Sequence, residues 1–90
     1  MTTSRPSVEP RAVHVTVSED ELSVGLADGR RLSVPLAWFP RLLHADPAHR
    51  QNWRLLGDGQ GIHWPDLDED LSVEGLLRGT LAPGASKRAV

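Results

Sequence analysis

The sequence predicts a small two-layer α+β domain, in which a three-stranded antiparallel meander and a fourth short strand are covered by two or three short helices. The chain of 90 residues is long enough for one domain. Between residues 12 and 34, apolar and polar residues alternate in three runs separated by turn signals, a pattern typical of antiparallel strands with one buried face. After residue 35, prolines and capping residues indicate short helices, which would cover that face.

The alternation in the meander assigns one apolar side of each strand to the core. This side carries Val13, Val15 and Val17 in the first strand, Leu22, Val24 and Leu26 in the second, and Leu32 and Val34 in the third. Residues 18–20 form the first turn. Asp28 and Gly29 predict a hairpin turn between the second and third strands, because both central residues tolerate a positive φ.

Prolines organise the segment that follows the meander. Pro35 ends the third strand because proline donates no ladder hydrogen bond. Residues 36–39 are expected to form one helical turn, and Pro40 suits the first position of a short helix that reaches Ala45. Asp46 is the expected N-cap of a second helix, which runs from residue 47 to about residue 55.

The last third of the chain contains one more strand and one more helix. Residues 57–59 predict a turn, and residues 61–64 predict the fourth strand, placed beside the meander. Residues 66–70 are expected to form an acidic loop. Ser72 is the predicted N-cap of a final helix over residues 73–78, and Gly79 its C-terminal cap.

Composition sets the class of protein. We predict one domain over residues 12–79, a disordered tail over residues 1–11 and a flexible tail over residues 80–90. The net charge of −2 disfavours direct binding to nucleic acid, and the lack of cysteine excludes disulfides and thiolate zinc sites. Without a membrane-length apolar run or a signal peptide, we expect a cytoplasmic protein with no membrane partner.

The acidic segment resembles the start of a calcium loop but departs from it. Asp66, Asp68 and Asp70 have the right spacing, yet the required glycine and glutamate positions are Leu71 and Leu77. A solvated acidic loop that leads into the last helix is the simplest interpretation. A weak divalent-cation site and a contact for a basic partner surface are the alternatives.

The remaining candidate chemistry is weak. The four histidines lack the spacing of a zinc site, and the glycines of residues 57–61 follow a helix rather than a strand, unlike a dinucleotide-binding loop. No serine lies in a nucleophile elbow. The sequence therefore predicts no catalytic residue, no metal site, no cofactor and no enzymatic activity.

Tryptophan and acidic residues are the candidates for contact with a partner protein. Tryptophan is enriched at binding hot spots, and a structured acidic loop can meet a basic surface. The predicted contact residues are Trp53, Trp64, Asp66, Asp68, Glu69 and Asp70. Whether the segment serves recognition or fold closure depends on whether Trp64 is buried.

Four segments resemble one family along nearly the whole folded part of the chain. They are DGRRLSVPL (residues 28–36), PRLLHA (residues 40–45), NWRL followed by GDG (residues 52–59), and GIHWPDLDEDLSVEGLLRG (residues 61–79). On these motifs the chain resembles the domain of unknown function 2442 family. The resemblance implies a small two-layer α+β domain from bacteria or phage, with no established catalytic residues. It also implies a gene that often lies beside the domain of unknown function 4160 family, in pairs proposed as toxin–antitoxin modules with this domain as antitoxin.

From these observations we expect a protein-binding domain. The family resemblance implies that it acts as an antitoxin toward the product of an adjacent gene. Self-association through a free strand edge is a further expectation. One alternative is a nucleic-acid-associated regulatory protein that uses the arginines at positions 30, 31, 41, 50 and 54. The other is a metal-dependent accessory protein that uses His63 and the acidic loop.

Overall fold

The computed structural model describes residues 10–80. Most of the two tails predicted at residues 1–11 and 80–90, namely residues 1–9 and 81–90, therefore lies outside the described residues. Within residues 10–80 the chain forms two three-stranded antiparallel sheets and three short α-helices, which confirms the α+β class. The strands are β1 (Ala12–Val17), β2 (Glu21–Leu26), β3 (Arg31–Pro35), β4 (Arg54–Leu56), β5 (Gly61–Trp64) and β6 (Glu69–Ser72). The helices are α1 (Pro40–Leu43), α2 (Pro47–Arg50) and α3 (Val73–Arg78), with 3₁₀ turns at Leu36–Trp38 and Gly57–Gly59.

The first sheet is the predicted meander, with strand order β1-β2-β3. Its predicted core side chains in β2 are all buried, which confirms that part of the pattern. Val13 is an exception, since its side chain is 59% exposed. The register shifts between Ala12 and His14, so Val13 is the extra residue of a β-bulge and Ala12 takes the buried position.

The hairpin between β2 and β3 lies where Asp28 and Gly29 predict it, but the turn type differs. Only Gly29 has a positive φ, of 96°. The Gly29 N–H donates to Leu26 O at 3.0 Å, and the Leu26 N–H donates to Arg30 O at 2.8 Å, which encloses a three-residue loop. Asp28 does not have the predicted positive φ, and it stabilises the turn through its carboxylate. Its Oδ1 accepts a hydrogen bond from the Arg30 N–H at 3.0 Å.

The predicted fourth strand does not lie beside the meander. It is β5, the central strand of a second sheet with order β4-β5-β6. The two flanking strands replace the predicted end of the second helix and part of the predicted acidic loop. β4 has three residues and β6 four, so neither is long enough to show a clear alternation in the sequence.

The second helix is shorter than predicted because its end is tied to the second sheet. α2 ends at Arg50, whose backbone C=O accepts the Trp64 indole N–H at 3.0 Å. The Arg50 guanidinium donates to Leu42 O at 2.9 Å and to Leu43 O at 2.7 Å, and so satisfies carbonyls at the end of α1. The chain then enters β4 at Arg54 instead of continuing as a helix.

One core lies between the two sheets and the helices. Its fully buried large side chains include Trp64, Phe39, Leu22, Leu36, Leu42 and Ile62. Burial of each such side chain stabilises the fold by roughly 1.5–3 kcal/mol. At the end of the core, α3 has the predicted caps: Ser72 Oγ accepts the Gly75 N–H at 2.9 Å, and Gly79 is left-handed with φ of 81°.

Candidate partner-binding groove

Trp64 closes the fold and offers no surface to a partner. Its side chain is 0% exposed, and its indole N–H is used by Arg50 O. A buried tryptophan needs such a partner for its N–H, which explains why this side chain can fill the core. We therefore remove Trp64 from the predicted contact residues: its role is fold closure.

The acidic segment is a turn followed by a strand instead of one loop. Residues 65–68 turn, with the Leu67 N–H donating to Trp64 O at 3.1 Å and Asp68 at a positive φ of 52°. Glu69 and Asp70 then lie in β6, where successive side chains point to opposite faces. The strand thus separates acidic residues that are adjacent in the sequence.

Asp66 and Trp53 lie away from the other acidic residues. The exposed Asp66 carboxylate accepts a hydrogen bond from the Asn52 amide at 2.8 Å, which joins the segment before β4 to the turn after β5. Trp53 is half-buried and meets the His14 ring edge-on, with centroids 6.2 Å apart. Part of Trp53 stays accessible, so it remains a predicted contact residue.

Asp70 belongs to the solvent-facing side of the second sheet. The β-sheet register places Arg54, His63 and Asp70 side by side across the three strands. Asp70 Oδ1 contacts His63 Nδ1, and the Asp70 side chain is more exposed than the histidine. This row of polar side chains covers the outer face of the sheet.

Glu69 has the opposite orientation and is buried. The residue is 7% exposed, which is unusual for a glutamate. Its carboxylate lies 3.6 Å from the Arg41 guanidinium, and the same Arg41 nitrogen donates to Asp68 O at 2.6 Å. Burial raises the pKa of Glu69; Arg41 opposes this shift, while the charges of Asp70 and Asp68 add to it.

An open groove of about 510 Å³ runs along β6. Its walls are residues 39–41, residues 68–72, and Gly75, Leu76 and Thr80 at α3. β6 is an edge strand of the second sheet, so the groove borders the side of β6 that no strand within residues 10–80 covers. The volume is within the range of binding sites, roughly 300–1,000 Å³.

The groove is acidic and brings together residues that the sequence does not connect. Three carboxylate residues (68–70) and one guanidinium line it. Arg41 and Asp68 are 27 residues apart in the chain, and no local pattern indicates their contact. The only signal for the groove is the acidic run itself, which predicts Asp68, Glu69 and Asp70 but not the opposite wall.

The other predicted chemistries receive less support from the geometry. Among residues 10–80, no three His, Asp or Glu side chains are grouped closely enough to hold a metal ion. Arg30 pairs with Asp28 at 2.8 Å, and the guanidinium groups of Arg41 and Arg50 donate to backbone carbonyls. Three of the five candidate arginines for nucleic-acid binding thus already contact other groups within residues 10–80.

Comparison with known proteins places the chain in a family. A family model described as "Protein of unknown function (DUF2442)" matches residues 12–82. The chain belongs to this family. No match was found among the curated proteins. No helix within the described residues is long and apolar enough to cross a membrane.

Two solved structures are similar to this chain. One is the crystal structure of a protein of unknown function from Rhodospirillum rubrum, with 32% identity, a TM-score of 0.73, and coverage of 86% of this chain and 95% of that chain. The other is the solution NMR structure of an uncharacterized protein from Chromobacterium violaceum. It has 24% identity and a TM-score of 0.69 over 82% of this chain and 70% of that chain, which shows the shared fold alone.

Proposed function

We propose that this DUF2442 member is a protein-binding domain whose partner presents a basic segment to the groove along β6. The observation that carries the proposal is Glu69. A carboxylate is costly to bury unless it is paired and hydrogen-bonded. Within residues 10–80, Glu69 has an ion pair to Arg41 at 3.6 Å but accepts no hydrogen bond. A cationic partner group would supply the missing donor.

The environment of Glu69 favours a protein partner. The groove combines carboxylates with apolar walls from Phe39, Leu71 and Leu76. Interfaces between proteins commonly pair an apolar centre with charges that steer the encounter. Nucleic acid is repelled by such a charge, because its phosphates require a basic surface.

The family resemblance extends the proposal to an antitoxin-like role. In that role the chain would bind and neutralise a toxin encoded by an adjacent gene. The acidic groove would then cover a basic surface on the toxin. No cofactor and no membrane enter this proposal.

Co-expression tests the proposed function. The chain and the product of its neighbouring gene are produced together and separated by size-exclusion chromatography at micromolar concentration. We expect the two proteins to elute as one complex. Elution in separate peaks would contradict the proposal.

A matched pair of variants locates the interface. Asp68→Asn combined with Glu69→Gln removes two groove charges, and asparagine tolerates the positive φ of Asp68. Glu19→Gln combined with Asp20→Asn removes the same charge from the exposed turn before β2. We expect the groove variant to weaken the complex about tenfold or more and the turn variant to change it less than about twofold. Equal effects would point to bulk charge instead of the groove.

A further inference from the structure

The free edge of β6 presents a short row of unpaired backbone groups to the groove. The Val73 N–H donates to Gln60 O at 2.9 Å, which sets the hydrogen-bonding pattern between β5 and β6. Because residues of an antiparallel strand alternate in the side to which their backbone groups point, Asp70 and Ser72 direct theirs away from β5. The register thus leaves the Asp70 N–H, the Asp70 C=O and the Ser72 N–H without a partner in β5, and no turn, loop or cap hydrogen bond of residues 10–80 reaches them.

The side chains of β6 define what would lie beside that edge. Glu69 and Leu71 point to the face that borders the groove, while Asp70 pairs with His63 on the outer face. A strand added to β6 would place alternate side chains on the same face as Glu69 and Leu71. Those positions lie about 7 Å apart along a strand, which rises roughly 3.3 Å per residue.

Resting on the proposed function, we infer that the partner enters the groove as an extended strand that pairs with the free edge of β6. It places a lysine or arginine beside Glu69 and an apolar residue two positions away, beside Leu71. The partner strand gains backbone hydrogen bonds from Asp70 and Ser72. The cation supplies Glu69 with a hydrogen-bond donor at close range, which Arg41 does not.

Charge favours a cationic strand over a second copy of this chain. Pairing β6 with β6 of another copy would bring two sets of residues 68–70 together, and like charges across a strand pair are destabilising. A strand with lysine or arginine meets the same residues with opposite charge.

Two other strand edges are less suited to this role. On β1, the Gln51 side chain donates to Val17 O at 3.2 Å, and Gly59 lies so close that a Cβ there would be 2.3 Å from Ala12 O. On β3, Pro35 has no N–H and Arg31 is exposed, both of which discourage pairing. The edge of β6 has neither protection from within the described residues.

A synthetic peptide tests strand addition without the natural partner. The probe is a capped heptapeptide, Thr-Lys-Thr-Val-Thr-Lys-Thr, in which lysine lies two positions from valine in both directions. It is titrated into the full-length ¹⁵N-labelled chain and followed by amide chemical shifts. We expect saturable shifts that are largest at Asp70 and Ser72 and small at Ser33 on the β3 edge.

Two comparisons separate strand pairing from charge attraction. A peptide with the same side chains and N-methyl groups on its three central amides cannot form the ladder, and we expect its affinity to fall about tenfold or more. Glu69→Gln should weaken the unmodified peptide about tenfold, as expected for loss of a charge-assisted hydrogen bond. Glu74→Gln removes the same charge from the exposed face of α3 and should leave the affinity within about twofold.

Three results would overturn the inference. The first is that the N-methylated peptide binds as tightly as the unmodified one, and the second is that the chemical shift changes are centred away from β6. The third is that the peptide binds only after Lys87→Gln and Arg88→Gln are introduced. That result would mean that the basic residues 87 and 88 of this chain occupy the groove. If any of these occurs while the co-expressed partner still binds in a groove-dependent way, strand addition fails but the proposed function stands. If the peptide behaves as expected while the neighbouring gene product elutes separately, the groove binds cationic strands and that partner is wrong.

Discussion

The two sheets differ in how they use charge. The sheet β1-β2-β3 buries apolar side chains on one face and places serine, threonine and arginine on the other. The sheet β4-β5-β6 buries Glu69 next to Trp64 and carries the row of Arg54, His63 and Asp70 on its outer face. Removing a carboxylate from water is costly, so Glu69 is expected to add less stability than an apolar side chain would at this position.

The edge of β6 also differs from the two edges of the first sheet in its protection. Gln51 and Gly59 cover β1, and Pro35 ends β3, whereas β6 borders an open groove. Proteins commonly block strand edges that are not used for binding. Under the proposed function, the first sheet is the scaffold and the second sheet binds the partner, and each prediction below tests this division between the two sheets.

The largest effect is expected from Trp64→Ala, which removes the core side chain that joins the second sheet to α2. Loss of a fully buried tryptophan should lower the free energy of unfolding by about 3–5 kcal/mol. Urea denaturation measures the change. Val13→Ala, at the exposed bulge of the first sheet, is the control and should cost less than about 0.5 kcal/mol. A loss below about 1 kcal/mol for Trp64→Ala would show that fold closure does not depend on this side chain.

Two glycine variants compare the junction of the sheets with a free turn. Gly29 and Gly59 have similar positive φ values, 96° and 94°. Gly29→Ala meets open space, so only backbone strain of about 1–2 kcal/mol is expected. Gly59→Ala adds a Cβ 2.3 Å from Ala12 O, and we expect roughly 1–3 kcal/mol more. If both variants lose the same free energy of unfolding in urea denaturation, the backbone between β1 and the turn at residues 57–59 moves at little cost to accommodate the added Cβ.

The first sheet shows why much of the fold is predictable from the sequence. Strands of five or six residues alternate clearly, and their turns contain Asp28, Gly29 and Ser18, whose chemistry is local. The helix positions marked by Pro40, Pro47 and Ser72 are also confirmed. The bulge at Val13 is not predictable in this way. The extra residue does not interrupt the alternation of apolar and polar residues along β1, so the sequence looks like that of a regular strand.

The second sheet shows where prediction from the sequence fails. β4 follows a good helix start, and only its pairing with β5 decides that the chain is extended there. In β6, the run of residues 68–70 suggests a solvated loop, yet Glu69 is buried by tertiary contacts. The acidic wall of the groove is visible in the sequence, whereas the wall that contains Arg41 depends on the fold.

A smaller effect is expected at the caps of the helices. Ser72→Ala removes the hydroxyl that accepts the Gly75 N–H and should lower the free energy of unfolding by about 1 kcal/mol. Asp46→Ala is the matched variant, because Asp46 occupies the N-cap of α2 without a side-chain cap hydrogen bond. It should cost less than about 0.5 kcal/mol in the same urea measurement. A larger loss at Asp46 than at Ser72 would reverse this ranking.

The smallest effect is a pH dependence that arises from Glu69. Its pKa in the folded state is raised above the ordinary value of 4.5, so the folded state binds a proton more readily than the unfolded state. The free energy of unfolding therefore falls as pH rises from about 4.5 through the raised pKa, and the penalty is fully present above it. Glu69→Gln should be more stable than the native chain at neutral pH, by up to about 1 kcal/mol.

Urea denaturation as a function of pH checks this sign. The advantage of Glu69→Gln should shrink as the pH falls toward 4.5. The exposed control Glu74→Gln should show no such trend and remain within about 0.5 kcal/mol of the native chain. If Glu69→Gln is instead destabilising at neutral pH, Glu69 stabilises the fold and its burial needs no partner.

Amide hydrogen exchange in the complex with the co-purified partner tests the division between scaffold and recognition most directly. The measurement compares two strand edges of one molecule: Asp70 and Ser72 on β6, and Arg31 and Ser33 on β3. If the partner pairs with β6, exchange at Asp70 and Ser72 slows about tenfold or more on binding, while exchange at Arg31 and Ser33 is unchanged. Unchanged exchange on β6, or slower exchange on β3 instead, would contradict the proposal that the partner pairs with β6.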